Sequence, residues 1–298
     1  MMLEINEDVN IRLDQYLSEN TEYSRSKIQS MIKDKFVLVN EIPTKSSYIL
    51  KVGDKVSVKE PEVEEMSSKP EKMDLDIVYE DNDIIVINKA NGMVVHPAVG
   101  NNSGTLVNGL LYHSKSLSDI NGEFRPGIVH RIDAYTTGLL VVAKNNKAHE
   151  FLAEQFEHKT NHRKYLALVW GVIPECTGTI DAPIGRDDSD RKKMAVTAKN
   201  SKPAITHFRV LERLKGVTLI ELKLETGRTH QIRVHMNYIG YPVVNDPVYG
   251  GRKLIDETGQ CLHALELGFI HPTTKEYVEF SSKTQDCFNN IVNYFKKI

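Results

Sequence analysis

Apolar residues recur at two different periods along this chain, and the changes of period divide it. Early on the spacing is helical: Ile11, Leu13, Tyr16 and Leu17 suggest a short first helix, and Ile28, Met31 and Ile32 line one face of a second. Ser24 stands where an N-cap for that second helix belongs. Two short strands follow, Val37 to Asn40 and Lys55 to Val58, the latter introduced by the turn Val52-Gly53-Asp54. Then periodicity stops. The stretch EPEVEEMSSKPEKM has two prolines, an acidic bias and no aromatic residue, which marks 61–73 as a linker after a module of residues 1–60.

The large domain, 74–298, is mostly strands. Leu75 to Tyr79 and Ile84 to Asn88 around Asp81-Asn82 predict a hairpin, and Asn91-Gly92 a further turn before Met93, Val94 and Val95. Leu139 to Ala143 is a short unbroken apolar run after a glycine, the pattern of a strand buried on both faces. Strands are further predicted over 162–170, 178–182, 207–214, 217–225, 262–270 and 276–280. Helical spacing marks 105–113, 147–158, 229–239 and a closing helix that turns Phe288, Ile291, Val292 and Phe295 inward. The order predicts an α+β fold: a central mixed, mainly antiparallel sheet flanked by helices and loops, with a small α/β domain in front.

Composition then removes several classes. No apolar run is long enough to span a bilayer, MMLEINEDVN has no signal-peptide core, and the three cysteines (Cys176, Cys261, Cys287) are scattered. They form neither a disulfide framework nor a metal knuckle, which predicts a reducing, cytoplasmic setting with no membrane partner. The net charge of −2 advertises no global basic field, yet cations cluster locally. Arg25, Lys27 and Lys33 belong to the second helix, and Arg191, Lys192, Lys193, Lys199 and Lys202 to an insertion spanning 186–202. Each cluster reads either as a solvated face or as a grip on phosphates.

Three stretches carry candidate chemistry. In GIVHRIDAYTTGLLVVAK, His130, Arg131 and Asp133 stand beside a strand that must be buried. A carboxylate there is costly without a partner or a task; it either caps the turn 134–137 or does chemistry. In ETGRTHQIRVHMN, Thr229 can cap a helix whose apolar stripe is Ile232, His235, Met236 and Ile239, with His230, Arg233 and Asn237 opposite. His235 is best explained as a core-edge histidine. Arg233, like Arg228 in the preceding turn, is either a surface cation or a fixed counter-charge for a carboxylate such as Asp133. In HRKYLALVWG, Tyr165 and Ala167 share one face of a strand and Leu166, Leu168 and Trp170 the other, so Tyr165 either packs or points into a cleft. No GxSxG, HExxH, Walker or GxGxxG pattern supports a hydrolase triad, a metal enzyme or a nucleotide cofactor.

Together these stretches, with IVYEDNDIIVINKANGMVVHP and CLHALELGFIHP, resemble the pseudouridine synthases of the RluA and RluD kind. The resemblance runs from about Asp74 to the C-terminus and is carried by HRxDxxTxG followed by GRxHQIRxH. It implies an isomerase that turns RNA uridine into pseudouridine, with Asp133 the essential carboxylate, Tyr165 stacked on the target base and Arg233 paired with Asp133. Arg131 would hold or displace the flipped nucleotide and Leu262 wall the pocket, with His130 and Arg228 as further substrate contacts. The product is an isomer, so neither a cofactor nor a metal is expected. Ile132 stands where Leu is commoner, and Asn200-Ser201 replaces a glycine expected near Lys202, which bears on that loop's shape. The front module, through RLDQYL, SRSKIQSMIKDKFVLVN and KVGDKVSV, resembles the alpha-L RNA-binding module, whose second helix would set Arg25 and Lys27 against phosphates. The expected partner is RNA, ribosomal from the large subunit in first place, transfer RNA in second, with the chain a monomer. A non-catalytic RNA clamp is the remaining class, and a carboxylate in its cleft would serve it nothing.

Overall fold

The computed structural model describes residues 1–7, 10–59, 69–98, 101–122, 125–190, 193–252 and 254–297. Packing separates it into two units, Met1–Met66 and Ser67–Ile298.

In the first unit, β1 (Met2–Glu4), α1 (Leu13–Asn20), α2 (Arg25–Lys33), β2 (Val37–Val39), β3 (Ile42–Pro43) and β4 (Lys55–Val58) follow in order, and the strands pair as β1-β4-β2-β3. The helical stripes seen in the sequence become its core, where Leu13, Leu17, Ile28, Met31 and Ile32 meet Val37, Val39, Val56 and Val58. Ser24 caps α2 by accepting from the Lys27 amide. Asp14, which alternation in the sequence does not single out, is fully buried and receives Arg12, Arg25 and Gln29. Those donors hold its carboxyl far below the usual range against the pull of burial.

The second unit contains β5 (Ile77–Glu80), β6 (Ile84–Lys89), α3 (Leu106–His113), β7 (Thr137–Ala143), α4 (Asn146–His158), β8 (His162–Trp170), β9 (Thr177–Asp181), β10 (Ile184–Arg186), β11 (Met194–Val196), β12 (Ile205–Leu214), β13 (Val217–Leu224), α5 (Gln231–Tyr238), β14 (Leu262–Ile270), β15 (Tyr277–Ser281) and α6 (Asp286–Lys296). Nine strands form one sheet, in the order β5-β6-β7-β14-β8-β13-β12-β9 with β15 on β14. Among the described residues only β7 and β14 pair in parallel within it; the other pairs are antiparallel. The fold is α+β.

Strand alternation sorts the core. Ile85, Ile87, Leu140, Val142, Tyr165 and Ala167 face one side, under Leu106 and Leu110 of α3 and Ile232 and Met236 of α5. Their neighbours Ile84, Val86, Leu139 and Val141 face the other, against Ala148 and Leu152 of α4, while Leu168 meets Phe288, Ile291, Val292 and Phe295 of α6. All seven residues of β7 are buried, as an unbroken apolar run requires. Gly138 is what lets β7 and β14 approach: its φ is +106°, and a Cβ there would lie 2.2 Å from the Ala264 carbonyl oxygen.

One expectation changes, at the linker, and two features of the basic insertion gain definition. The linker was expected to run to residue 73, but Glu71 donates its amide to the Asn108 carbonyl and Asn108 donates to that of Lys69, so 69–73 packs on α3. The basic insertion contains a hairpin, β10 with β11. At Asn200, where a glycine was expected, φ is +47°; asparagine occupies the left-handed conformation glycine would have taken.

Candidate active site

Asp133 sits in the loop that enters β7, and three groups fix that loop. Lys89, at the end of β6 and wholly buried, donates to the carbonyls of Ala90, Met93 and Ala134 at 2.9, 2.9 and 2.7 Å. Gln260 donates to the Thr136 hydroxyl at 3.1 Å. The turn closes through backbone alone, Thr136 N–H to the Asp133 carbonyl. The Asp133 side chain is therefore not spent on the turn. Burial pushes the Lys89 ammonium down to about 7, and the negative charge of Asp133 acts against that shift.

The carboxylate turns to Arg233. Nη1 of Arg233 donates to Asp133 Oδ2 at 2.9 Å, while Nε and Nη2 grip Asp246 at 2.7 and 2.9 Å. Arg233 is 4% exposed, so it lies inside the protein and not on an outer polar face of α5. Its pKa is raised further by the two carboxylates, despite burial. Asp133 Oδ1 is left facing His230 Nε2 at 3.8 Å, too far for a hydrogen bond. Oδ1 is the oxygen available to a substrate.

The start of α5 differs from expectation. His230, not Thr229, is the N-cap; it has φ +56° and makes no side-chain cap. Gln231 does the tying instead: its Oε1 accepts from Thr226 Oγ1 and the Arg228 amide, and its Nε2 donates to Ile205 O and Thr206 Oγ1. His230 Nδ1 and the Tyr249 hydroxyl are 2.8 Å apart, and the same hydroxyl accepts from the Met194 amide of the basic hairpin. His235 is fully buried between Thr206 and the Ala182 carbonyl, the core position expected of it.

These groups border a cavity of about 380 Å³ whose lining includes Arg131, Asp133, Tyr165, Arg233 and Leu262, a size that suits a small ligand. Burial raises the pKa of Tyr165, which therefore stays a neutral phenol in the wall. Arg131 is exposed, with Nη1 3.5 Å from His96 Nε2. Arg228 lines the cavity with its Nε bonded to the Pro203 carbonyl. His130 presents a ring stacked on Phe156 at 4.2 Å. Its Nε2 accepts the Val141 amide, and burial brings its pKa down to about 3, so it is neutral and occupied at that nitrogen. Among the remaining cations, Arg25 is about half exposed and paired to Asp14, Lys27 and Lys33 are exposed on α2, and Lys193 lies in the hairpin turn. Arg191 and Lys192 lie outside the described residues.

Sequence reading missed Lys89, Asp246 and Arg163. An arginine buried as deeply as Arg233 needs a second counter-charge, which pointed to another acid without saying which. Arg163 was visible through alternation, standing two before Tyr165 on the same strand. Among the described residues two acidic and histidine clusters have close spacing, and both already pair within the protein. His271 bonds Asp81 and accepts the amides of Thr273 and Thr274, while Glu266 of the cluster His162, Glu266 and Glu279 holds Lys164 at 2.6 Å.

A family profile for RNA pseudouridylate synthase matches residues 83–238. The chain belongs to that family. A profile for the S4 domain matches residues 11–56. The synthase is 54% identical over 287 residues to the Bacillus subtilis protein named uncharacterized RNA pseudouridine synthase YlyB, covering 96% of this chain and 94% of that one. It is 43% identical to ribosomal large subunit pseudouridine synthase D of Pseudomonas aeruginosa, over 93% and 89% of the two chains. Among solved structures, human RNA pseudouridylate synthase domain containing 1 matches with TM-score 0.60 and 28% identity, covering 76% of this chain and 96% of the human one. The synthase is an isomerase acting on uridine in RNA, and among its described residues no helix is long and apolar enough to cross a membrane.

Proposed function

We propose that the synthase isomerises chosen uridines of large-subunit ribosomal RNA in the cytoplasm, as a monomer, with Asp133 as its essential carboxylate. One observation carries the chemical part: an Asp133 whose Oδ2 is held by a buried arginine and whose Oδ1 faces a cavity walled by Tyr165 and Leu262. The ribosomal part rests on the S4 match and on relatives named for the large subunit.

Isomerisation breaks the bond from sugar C1′ to base N1, turns the base and joins C1′ to C5. The C5 proton is lost and N1 regains one, so atoms and electrons balance without an oxidant. The uridine must leave its stack to reach the cavity, where Tyr165 offers its face to the base and Arg131, at the rim, helps displace or hold the flipped nucleotide. Asp133 Oδ1 assists bond cleavage and then proton transfer. Arg233, clamped by Asp246, keeps the carboxylate in place while water is excluded. The departing base is also the returning nucleophile, so the second carboxylate that glycoside hydrolysis needs to activate water has no counterpart here. In the first unit Arg25, Lys27 and Lys33, and in the second Lys193 with its sequence neighbours Arg191 and Lys192, supply phosphate contacts independent of sequence.

The test uses RNA tritiated at uracil C5, made as unmodified large-subunit ribosomal RNA and as transfer RNA. Release of label from the ribosomal transcript, at positions that stay uridine in cells lacking the gene, supports the assignment. Release from transfer RNA alone would overturn the ribosomal part and leave the isomerase intact.

A further inference from the structure

Arg163 is a buried cation that pairs with no anion among the described residues. It lies on β8 two residues before Tyr165, so alternation sends both side chains to the same side, about 7 Å apart along the strand. The residue is 8% exposed, its Nε has no hydrogen-bond partner, and it forms no ion pair among the described residues. Glu157 shares the cavity lining without pairing to it. The guanidinium rests 5.7 Å from the Phe156 ring centroid. Across from it the chain has a glycine: a Cβ on Gly227 would lie 2.6 Å from Nη1, so the missing side chain gives the guanidinium its place in the wall. Burial lowers its pKa, the mark of a charge held away from water. Arginines this deep are almost always paired, and leaving one unpaired is costly unless a ligand completes it.

We propose that Arg163 forms a phosphate subsite of the active-site cavity, holding the phosphodiester attached to the flipped uridine. The isomerase reading supplies the substrate, and the inference rests on it. A uracil carbonyl would offer this fork one neutral acceptor. A phosphodiester offers two oxygens and the negative charge that Arg163 has no partner for among the described residues. The surrounding lining agrees: Lys159 stands three residues beyond Phe156 and Arg228 next to Gly227, and both border the cavity.

The test compares binding of uridine with binding of the methyl esters of uridine 3′- and 5′-monophosphate, which carry the single charge of a diester. The full-length protein, Arg163→Gln and Arg163→Lys are titrated by calorimetry. In the wild type one of the two esters is expected to bind about tenfold more tightly than uridine. In Arg163→Gln that ratio falls to about one while uridine binding is unchanged, which also reports that the cavity is folded; Arg163→Lys keeps part of the ratio. A wild type with no preference for either ester, an Arg163→Gln that keeps the preference, or one that loses uridine binding equally would each overturn the subsite. Asp133→Asn, run alongside, separates the two ideas: its isomerase activity tests the reaction, and its ester preference, expected to persist, tests the subsite.

Discussion

Arg233 spends two nitrogens on Asp246 and one on Asp133, so the position of the proposed catalytic carboxylate depends on Asp246 behind Arg233. Asp246→Asn should leave RNA affinity near wild type and lower kcat by about 10²- to 10³-fold, the scale of losing one fixed electrostatic contact in a dry site. Steady-state tritium release reads both constants, and an unchanged kcat would show that Asp133 needs no such support. A second residue-scale consequence follows from the buried histidines. His263 is wholly buried between Thr137 and Ser282, and burial lowers its pKa from 6.5 to about 4. Between those values the unfolded chain binds a proton that the native state refuses. Its contribution to stability is therefore complete above pH 6.5 and declines toward pH 4, by about 1.4 kcal/mol for each pH unit. His96 and His130, lowered to about 4 and about 3, act in the same direction. Urea midpoints at pH 7 and pH 5 check this; equal midpoints would contradict it. The pair Asp133–Arg233 could be anticipated from residue type, but Lys89 and Asp246 could not. Their partners are carbonyls or side chains brought together only by tertiary structure, and no period in the sequence records that.

Among the elements, those with an unbroken period were legible: β8 and β14 span the predicted 162–170 and 262–270, and α6 buries the four apolar residues its spacing assigned. The start of α5 was not, because the cap comes from Gln231 inside the helix reaching back to Thr226, where a side chain before it was expected. The end of the linker was misread for a related reason: residues 69–73 take their hydrogen bonds from α3, more than thirty residues away. Gly138 shows how tightly one contact between elements is built. Gly138→Ala places a Cβ against the Ala264 carbonyl on a backbone at φ +106°, and should cost more than about 3 kcal/mol. Gly216→Ala, also at positive φ but with nothing within 4 Å, should cost about 1 kcal/mol. Urea denaturation of the pair would reveal equal losses if the β7–β14 approach were not the cause.

At the scale of the molecule, the chain joins an S4 module to a catalytic unit, and the division of labour can be measured. A protein lacking Met1–Met66 should bind RNA more weakly and with a shallower dependence on salt, because phosphate contacts are removed. Its turnover at saturating RNA should be retained. Filter binding across salt concentrations checks this, and an unchanged slope would show that α2 grips no phosphates. The catalytic claim itself comes down to one oxygen atom of Asp133 facing a cavity the size of a small ligand. Asp133→Asn keeps the shape of that side chain and removes its charge, so single-turnover tritium release from C5-labelled RNA is the most direct measurement. Loss of all detectable release, with RNA binding preserved, is the expected result; release at the wild-type rate would contradict the assignment of Asp133.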